Sequence, residues 1–326
     1  MKNKLTMILT FFVRVFRRSL RIIIWCAFAF VVLASIAGFF SDCCTPCELL
    51  SHFRVAYVIA FSLFGIGFAL AKNKRAAIAA SALLIVNLVP IATLYVPATP
   101  GAVSQESENM RILQFNLQGG KNKEYEKTIS LITKIDPDVV GLSELTGTWV
   151  TVLEERLSAY PYRVVYPHAG GVSIFSKYPL TNARVKHFGK ISRPRITAQI
   201  DFKGKPVDVV FVHTVTPLKS RSLRNGELSV VAREAKQFKN PGIVFGDMNI
   251  TPWSASFERL LVNGGLQDSE RGFGFMPTWS AKMMVSLLTI DHLLTTPHFW
   301  VRDRKVLRSV GSDHYPVLVE LALKKV

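Results

Sequence analysis

Eight side chains in the C-terminal two thirds of this sequence are of types that handle phosphate esters: Asn116, Glu144, His213, Asp247, Asn249, Asp291, Asp313 and His314. Carboxylates such as Glu144, Asp247 and Asp313 suit hard cations, which take oxygen ligands. A cation held there would polarise phosphoryl oxygens and neutralise developing charge. Imidazoles and amides can hold the equatorial oxygens of a phosphoryl transition state. A free carboxylate can take a proton from attacking water. The set therefore contains the parts of metal-assisted phosphate-ester hydrolysis. Thiol catalysis is excluded in this part of the chain, because Cys26, Cys43, Cys44 and Cys47 all lie in the first fifty residues. Taken singly, each residue also has a structural reading: a strand hydrogen bond for Asn116, a helix cap for Glu144, a satisfied buried ring for His213. Asp247 and Asn249 could form an Asx turn, and Asp313-His314 could cap a strand. It is the ordered set that favours chemistry.

Each of these residues falls at the end of an apolar run, where a rigid scaffold can present a side chain. The pattern predicts strands near 110–117, 139–142, 162–166, 172–175, 196–202, 207–212, 243–245, 290–294 and 317–323. Helical spacing covers 123–135, 149–157, 222–238 and 254–262. Lys203-Gly204-Lys205 reads as a hairpin turn. Many short strands with few, separated helices argue an α+β layered sandwich.

The motifs resemble those of the endonuclease/exonuclease/phosphatase superfamily, the DNase I-like fold, along nearly all of 110–323. The resemblance rests on Leu113-Gln114-Phe115-Asn116, on 136–144 ending in Glu144, on 171–180, and on Val212-His213-Thr214. It continues through Gly246-Asp247-Met248-Asn249, Pro277-Thr278-Trp279, Ile290-Asp291-His292 and 311–317 with Asp313-His314. It implies a four-layer αββα sandwich and a Mg2+ or Mn2+ cofactor. Glu144 with Asn116 would hold the metal, with Asp313 facing it. Asp247 would orient or deprotonate the water, and Asn249 would hold the water or a phosphate oxygen. His213 and His314 would contact the scissile phosphate, with Asp291 fixing the His314 tautomer. The sequence offers no carboxylate partner for His213. Arg193 and Arg195 stand where a phosphate-binding arginine would be useful, or on an exposed strand face. Trp253 shapes the pocket or merely packs.

The first hundred residues differ in kind. Apolar runs at 20–40, 55–71 and 76–96 predict three transmembrane helices, with a linker over 97–109 and the catalytic domain over 110–326. Of the formal charge of +17, residues 1–100 carry +8 and the remainder +9. Lys2, Lys4, Arg14, Arg17, Arg18 and Arg21 precede the first run, and Lys72, Lys74 and Arg75 separate the second from the third. The positive-inside rule then makes the N-terminus cytoplasmic. Three spans would put the catalytic domain on the far face of a bacterial inner membrane. The spans hold too few ionisable residues to line a transport path. Cys43, Cys44 and Cys47 suggest a local disulfide on an oxidising side; a metal site there would need a further ligand such as His52.

A basic catalytic domain suits anionic partners: nucleic acid, a phospholipid head group or a phosphorylated metabolite. It equally suits an anionic bilayer surface. Nothing in the sequence points to a protein partner. The apolar stretch 281–289 would pack into the core or against the membrane helices; the alternatives are that it rests on a bilayer or holds an acyl chain. A nuclease-specific role, or a non-catalytic binding module on the same fold, are the competing readings of the whole chain.

Overall fold

The computed structural model describes residues 2–98, 108–168, 170–189 and 193–324. The chain divides into two compact units, Met1–Val89 and Pro90–Val326.

The second unit is built on two six-stranded sheets. The first contains β1 (Asn109–Asn116), β2 (Val139–Ser143), β3 (Tyr162–Tyr166), β4 (Val172–Ser176), β11 (Phe299–Val306) and β12 (Val317–Leu323), in the order β11-β12-β1-β2-β4-β3. The second contains β5 (Leu180–His187), β6 (Pro194–Phe202), β7 (Lys205–His213), β8 (Gly242–Asp247), β9 (Gln267–Asp268) and β10 (Asp291–Thr295), in the order β5-β6-β7-β8-β10-β9. The pairs β1–β2 and β7–β8 are parallel and lie centrally, and the other pairs are antiparallel. Central parallel strands are covered on both faces, which is why they read as near-continuous apolar runs.

Successive side chains on a strand point to opposite faces. Ile112, Val139, Ile174, Val209, Phe211, Phe245 and Leu293 accordingly share the layer between the sheets. Their neighbours Leu113, Phe115, Val140 and Leu142 turn outward onto α5 (Tyr125–Ile135) and α6 (Gly147–Arg156), through Ile129, Ile132, Trp149 and Leu153. On the other sheet Val210, Val212 and Val244 turn outward onto α7 (Pro217–Lys236) and α8 (Ala255–Gly264). The result is the expected α+β sandwich with helices outside each sheet. Gly141 lets the sheets approach: a Cβ there would stand 2.4 Å from the Phe245 ring. Phe211 and Phe245 are fully buried, and truncating either to alanine costs about 3–5 kcal/mol by loss of transfer energy and cavity formation.

Three strands had no counterpart in the sequence reading. β5 and β11 are sheet edges rich in charge, with sequences LTNARVKH and FWVRDRKV. Edge strands carry such residues as protection against pairing with other chains, and this hides their apolar alternation. β9 has two residues, too few for any period. α7 begins at Pro217 rather than at 222, because proline suits the first helical turn; non-helical Ser220 then kinks it.

The expected domain boundary also shifts. Residues 99–107 of the expected linker lie outside the described residues, but Pro90–Pro97 belongs with the second unit. The Leu94 carbonyl accepts hydrogen bonds from Gly272 N at 2.7 Å and Gly274 N at 3.1 Å.

The first unit contains α1 (Lys2–Phe39), α2 (Thr45–Ser51), α3 (Arg54–Leu70) and most of α4 (Lys74–Ala92). Two stretches, Thr10–Phe39 and Lys74–Tyr95, are by themselves long and apolar enough to cross a membrane. The middle run is not: α3 has 17 residues, roughly 25 Å at 1.5 Å per residue, against a hydrocarbon core of about 30 Å. It makes a third span only if it is joined to α2 across a bend of 66°. Ser35 and Asn87 hydrogen-bond each other, and Arg54 donates to Asn87 Oδ1 at 3.1 Å. All three are buried. Cys44 and Cys47 form the local disulfide, and Cys26 and Cys43 are free thiols.

Candidate active site

Register brings the polar strand ends together. His213 at the end of β7 lies beside Asp247 at the end of β8, and Asp247 pairs with Asp291 at the start of β10. On the opposing sheet Asn116 ends β1 beside Ser143, and Glu144 follows directly. The local backbone is special at three points. Glu144 and Asn249 have φ of 58° and 49°, in the left-handed region that costs a residue with a Cβ. Gly246, with φ 136°, passes so close to β7 that a Cβ would meet the Val212 carbonyl oxygen at 1.9 Å. The glycine of Gly246-Asp247-Met248-Asn249 thus permits the close strand contact that places Asp247.

One amide joins the two principal carboxylates. Asn116 Nδ2 donates to Asp247 Oδ2 at 3.0 Å and to Glu144 Oε1 at 3.2 Å. Its oxygen accepts the Gln118 N–H at 3.0 Å. Asn116 therefore meets the carboxylates through its NH2, not through the oxygen that would face a cation. His213 Nε2 stands 3.6 Å from both Glu144 Oε1 and Asp247 Oδ2. These carboxylates supply the neighbours that the sequence did not reveal, and the Gly170 carbonyl lies 3.1 Å from Nδ1.

Across the site His314 Nδ1 meets Asp291 Oδ2 at 2.9 Å, and its Nε2 stands 3.8 Å from Asp247 Oδ2. Asp291 is in turn held by Gln114 Nε2 at 2.8 Å, and its backbone N–H by Thr278 Oγ1 at 3.2 Å. Ser312 ties the His314 loop to β1: its hydroxyl donates to the Asn116 carbonyl at 2.7 Å and accepts the His314 N–H. Asn249 donates to the Thr214 carbonyl at 3.0 Å, and its N–H meets Asp247 Oδ1 at 3.0 Å. The Asx-turn reading is thereby realised, but inside the cluster.

Asp313 departs from expectation. Its carboxylate accepts the Trp279 indole N–H at 3.3 Å, and no hydrogen bond joins it to Asn116 or Glu144 among the described residues. The two arginines also separate. Arg195 is locked to Glu234 by two hydrogen bonds of 2.7 and 2.8 Å. The Arg193 guanidinium instead lies against the His213 ring. Trp253 packs near Phe275, their ring centroids 6.0 Å apart. Met283, Met284 and Val285 are exposed, so core packing does not account for the 281–289 stretch. Sequence reasoning passed over Gln114 and Thr278, although both lie inside motifs it used. Their polar types at core positions were the available signal.

Burial and charge set the protonation states. Burial lifts Asp247 to about 7; the His314 charge opposes this and Asp291 adds to it. Burial alone would make His314 a weaker base, but Asp291 and Asp247 outweigh it and hold its pKa near 10. Burial also opposes ionisation of Asp291, yet His314, Thr278 and Gln114 keep it below the usual carboxylate value. Burial and then Arg193 drive His213 well below the ordinary imidazole value. Near neutral pH the site therefore pairs a cationic His314 with an anionic Asp291, beside a neutral His213. Asp247, raised to about 7, titrates near neutral pH.

A two-sheet sandwich carrying carboxylates, imidazoles and amides at its strand ends defines a class in which phosphoester chemistry is common. The sequence profile of the Endonuclease/Exonuclease/phosphatase family matches residues 113–314, more than half of the chain, and the protein belongs to that family. The family includes metal-dependent phosphoesterases and nucleases. Solved structures share the fold. TDP2 from D. rerio complexed with a single-strand DNA product has TM-score 0.57 and 18% identity, covering 66% of this chain and 99% of its own. The Bacteroides thetaiotaomicron mannosyl-6-phosphatase has TM-score 0.55 and 17% identity, covering 66% and 100%. An endonuclease/exonuclease/phosphatase from Beutenbergia cavernae has TM-score 0.54 and 22% identity, covering 66% and 72%. No curated protein sequence matches the chain.

Proposed function

We propose that the protein is a divalent-metal-dependent phosphoester hydrolase held at a membrane by its N-terminal helices. The observation that carries this reading is the placing of His213 Nε2 3.6 Å from both Glu144 and Asp247, with one Asn116 amide bridging the two carboxylates and the Asp291–His314 pair facing them. Two carboxylates beside a neutral imidazole make an oxygen-rich set that a hard cation fits. Glu144, whose side chain keeps about a third of its exposure, is the principal ligand, with Asn116 and Asp247 beside it. Mg2+ or Mn2+ there would neutralise the phosphate and polarise its oxygens.

The chain's own groups do the rest. Asp247 accepts the proton of the attacking water, and the Asn249 loop orients it. His314, kept protonated by Asp291, donates to a phosphoryl oxygen as charge develops. Arg193, beside His213, adds a second positive group on the substrate side. Asp313 steadies Trp279 rather than binding metal. The substrate is a phosphodiester or phosphomonoester, from nucleic acid, a lipid head group or a phosphorylated metabolite.

The same reading places the catalytic unit on the non-cytoplasmic face. Both basic segments, 2–21 and 72–75, can be cytoplasmic only if α2 and α3 together complete a span. Reporter fusions after residue 98 test this: a cytoplasmic signal overturns the orientation. The activity is tested with the full chain in detergent, using bis-p-nitrophenyl phosphate and p-nitrophenyl phosphate with Mg2+ or Mn2+. Metal-dependent release that disappears in Asp247→Ala is expected. A folded protein inert with every divalent metal would defeat the proposal and leave a binding module.

A further inference from the structure

β10 presents two neighbouring residues to opposite faces. Asp291 faces the candidate active site; His292 faces α8, its ring 4.5 Å from that of Phe257. Around His292 lies a second cluster, absent from the chemistry above. Asp268, Glu270 and His292 each offer a ligand atom, and these atoms lie within 4.8 Å of one another. All three residues are at most 3% exposed.

Two atoms in the cluster lack partners. His292 Nε2 meets the Ile250 carbonyl at 2.7 Å and can only donate to it. The tautomer is thereby set, and Nδ1 carries the lone pair; this buried nitrogen has no hydrogen bond. Glu270 Oε1 accepts from Met276 N at 2.9 Å and Thr289 Oγ1 at 3.2 Å, whereas the buried Oε2 accepts from nothing. A buried acceptor left unsatisfied is destabilising. Two of them, an imidazole nitrogen and a carboxylate oxygen beside the second carboxylate Asp268, have the donor set of a cation site. A histidine whose far nitrogen is fixed by a carbonyl is the usual arrangement of a metal ligand.

We propose that Asp268, Glu270 and His292 bind a structural transition-metal dication, Zn2+ by the chemistry of the donors. One imidazole nitrogen and two carboxylate oxygens suit zinc, whereas Mg2+ prefers oxygen and retained water. Burial raises the Glu270 pKa to about 8, so a bound cation would displace a proton there, and both carboxylates would then offset its charge beside Arg304, which hydrogen-bonds Ser269 and the Asp291 carbonyl. Bound ligand atoms lie roughly 3.3 Å apart around a tetrahedral ion with bonds of about 2.0 Å, so the three side chains close inward on binding. A cavity of about 380 Å³, lined by Asp268 with Arg271, Phe257 and Trp253, adjoins the cluster on its Asp268 side. The ion would bind the 268–270 turn to β10 immediately behind Asp291.

The test uses the full chain in detergent with Glu144→Gln, so that the candidate catalytic ion is weakened. After exposure to Zn2+ and extensive dialysis, elemental analysis is expected to find about one zinc per chain. Glu270→Gln or His292→Gln in that background should lower retention at least tenfold. X-ray absorption at the zinc edge should show nitrogen and oxygen neighbours. Stripping and restoring zinc in the Glu144→Gln chain should lower and raise its Tm, a readout that needs no further substitution. Absence of retained zinc, meaning that the cluster holds only a proton, overturns the proposal. So do sulfur ligands, which would place the ion at the free or reduced cysteines. Neither result bears on hydrolysis at Asp247.

Discussion

The two sides of β10 make the informative contrast. On the Asp291 side every buried carboxylate is hydrogen-bonded, yet Asp247 is held against its preferred ionisation and Glu144 reaches toward solvent. On the His292 side the cluster is sealed, but Nδ1 and Oε2 are left without partners. One cluster is satisfied internally and open to a reactant. The other is closed to reactants and incomplete without a cation. Similar residue types, one peptide apart, can thus serve turnover on one face and rigidity on the other. Active sites commonly sacrifice stability in this way.

Substitutions should separate the two sides, and the largest effect is expected at Asp247. Asp247→Asn should cut kcat by roughly 10³-fold, within the range for loss of a general base, without lowering Tm. Steady-state assays beside thermal melts check both halves; an equal loss in the His292 cluster would erase the contrast. Asp291→Asn should cost about 10–100-fold, because it releases the His314 tautomer rather than touching substrate. Its pH profile should show the His314 limb moving down from near 10.

Arg193→Ala should raise KM by about tenfold, the loss of one charge-assisted contact. Arg195→Ala should leave KM unchanged and lower Tm, since that guanidinium serves Glu234. Equal kinetic defects in both variants would refute the assignment.

The smallest effect is in stability against pH. Metal-free Asp247 has its folded pKa raised to about 7, above an unfolded value near 4. Its ionisation therefore costs stability progressively as pH rises through that window, and fully above it. Asp247→Asn should raise the Tm of the metal-free chain by roughly 5 °C at pH 8 and by less at pH 5. Melts at the two pH values decide it, and a gain independent of pH would show that Asp247 is not strained by burial.

The layered α+β organisation was legible because central strands are buried on both faces and therefore read as apolar runs. The expected runs at 139–142 and 243–245 fall inside β2 and β8, both buried throughout. β5 and β11 escaped notice because edge strands mask their alternation with charge. The middle membrane run was legible only in part: hydropathy registers composition, but α3 alone has 17 residues and makes a span only together with α2 across the bend. Arg193 and Arg195 are alike in type and only two residues apart, one just before β6 and one inside it. Only packing put Glu234 beside one and His213 beside the other.

By itself the sequence determined the residue types, their order and the apolar periods that bury them, because these are local properties of the chain. It therefore carried the family and the inventory of carboxylates, amides and imidazoles. The tertiary structure decided which members of that inventory meet. Strand register brought Asp247 between His213 and Asp291, while the loop leading into β12 gave Asp313 to Trp279. It also decided that His292 and Asp291 serve different clusters. Those outcomes depend on contacts across long sequence separations, where burial and neighbouring charge, not residue type, set what each group can do.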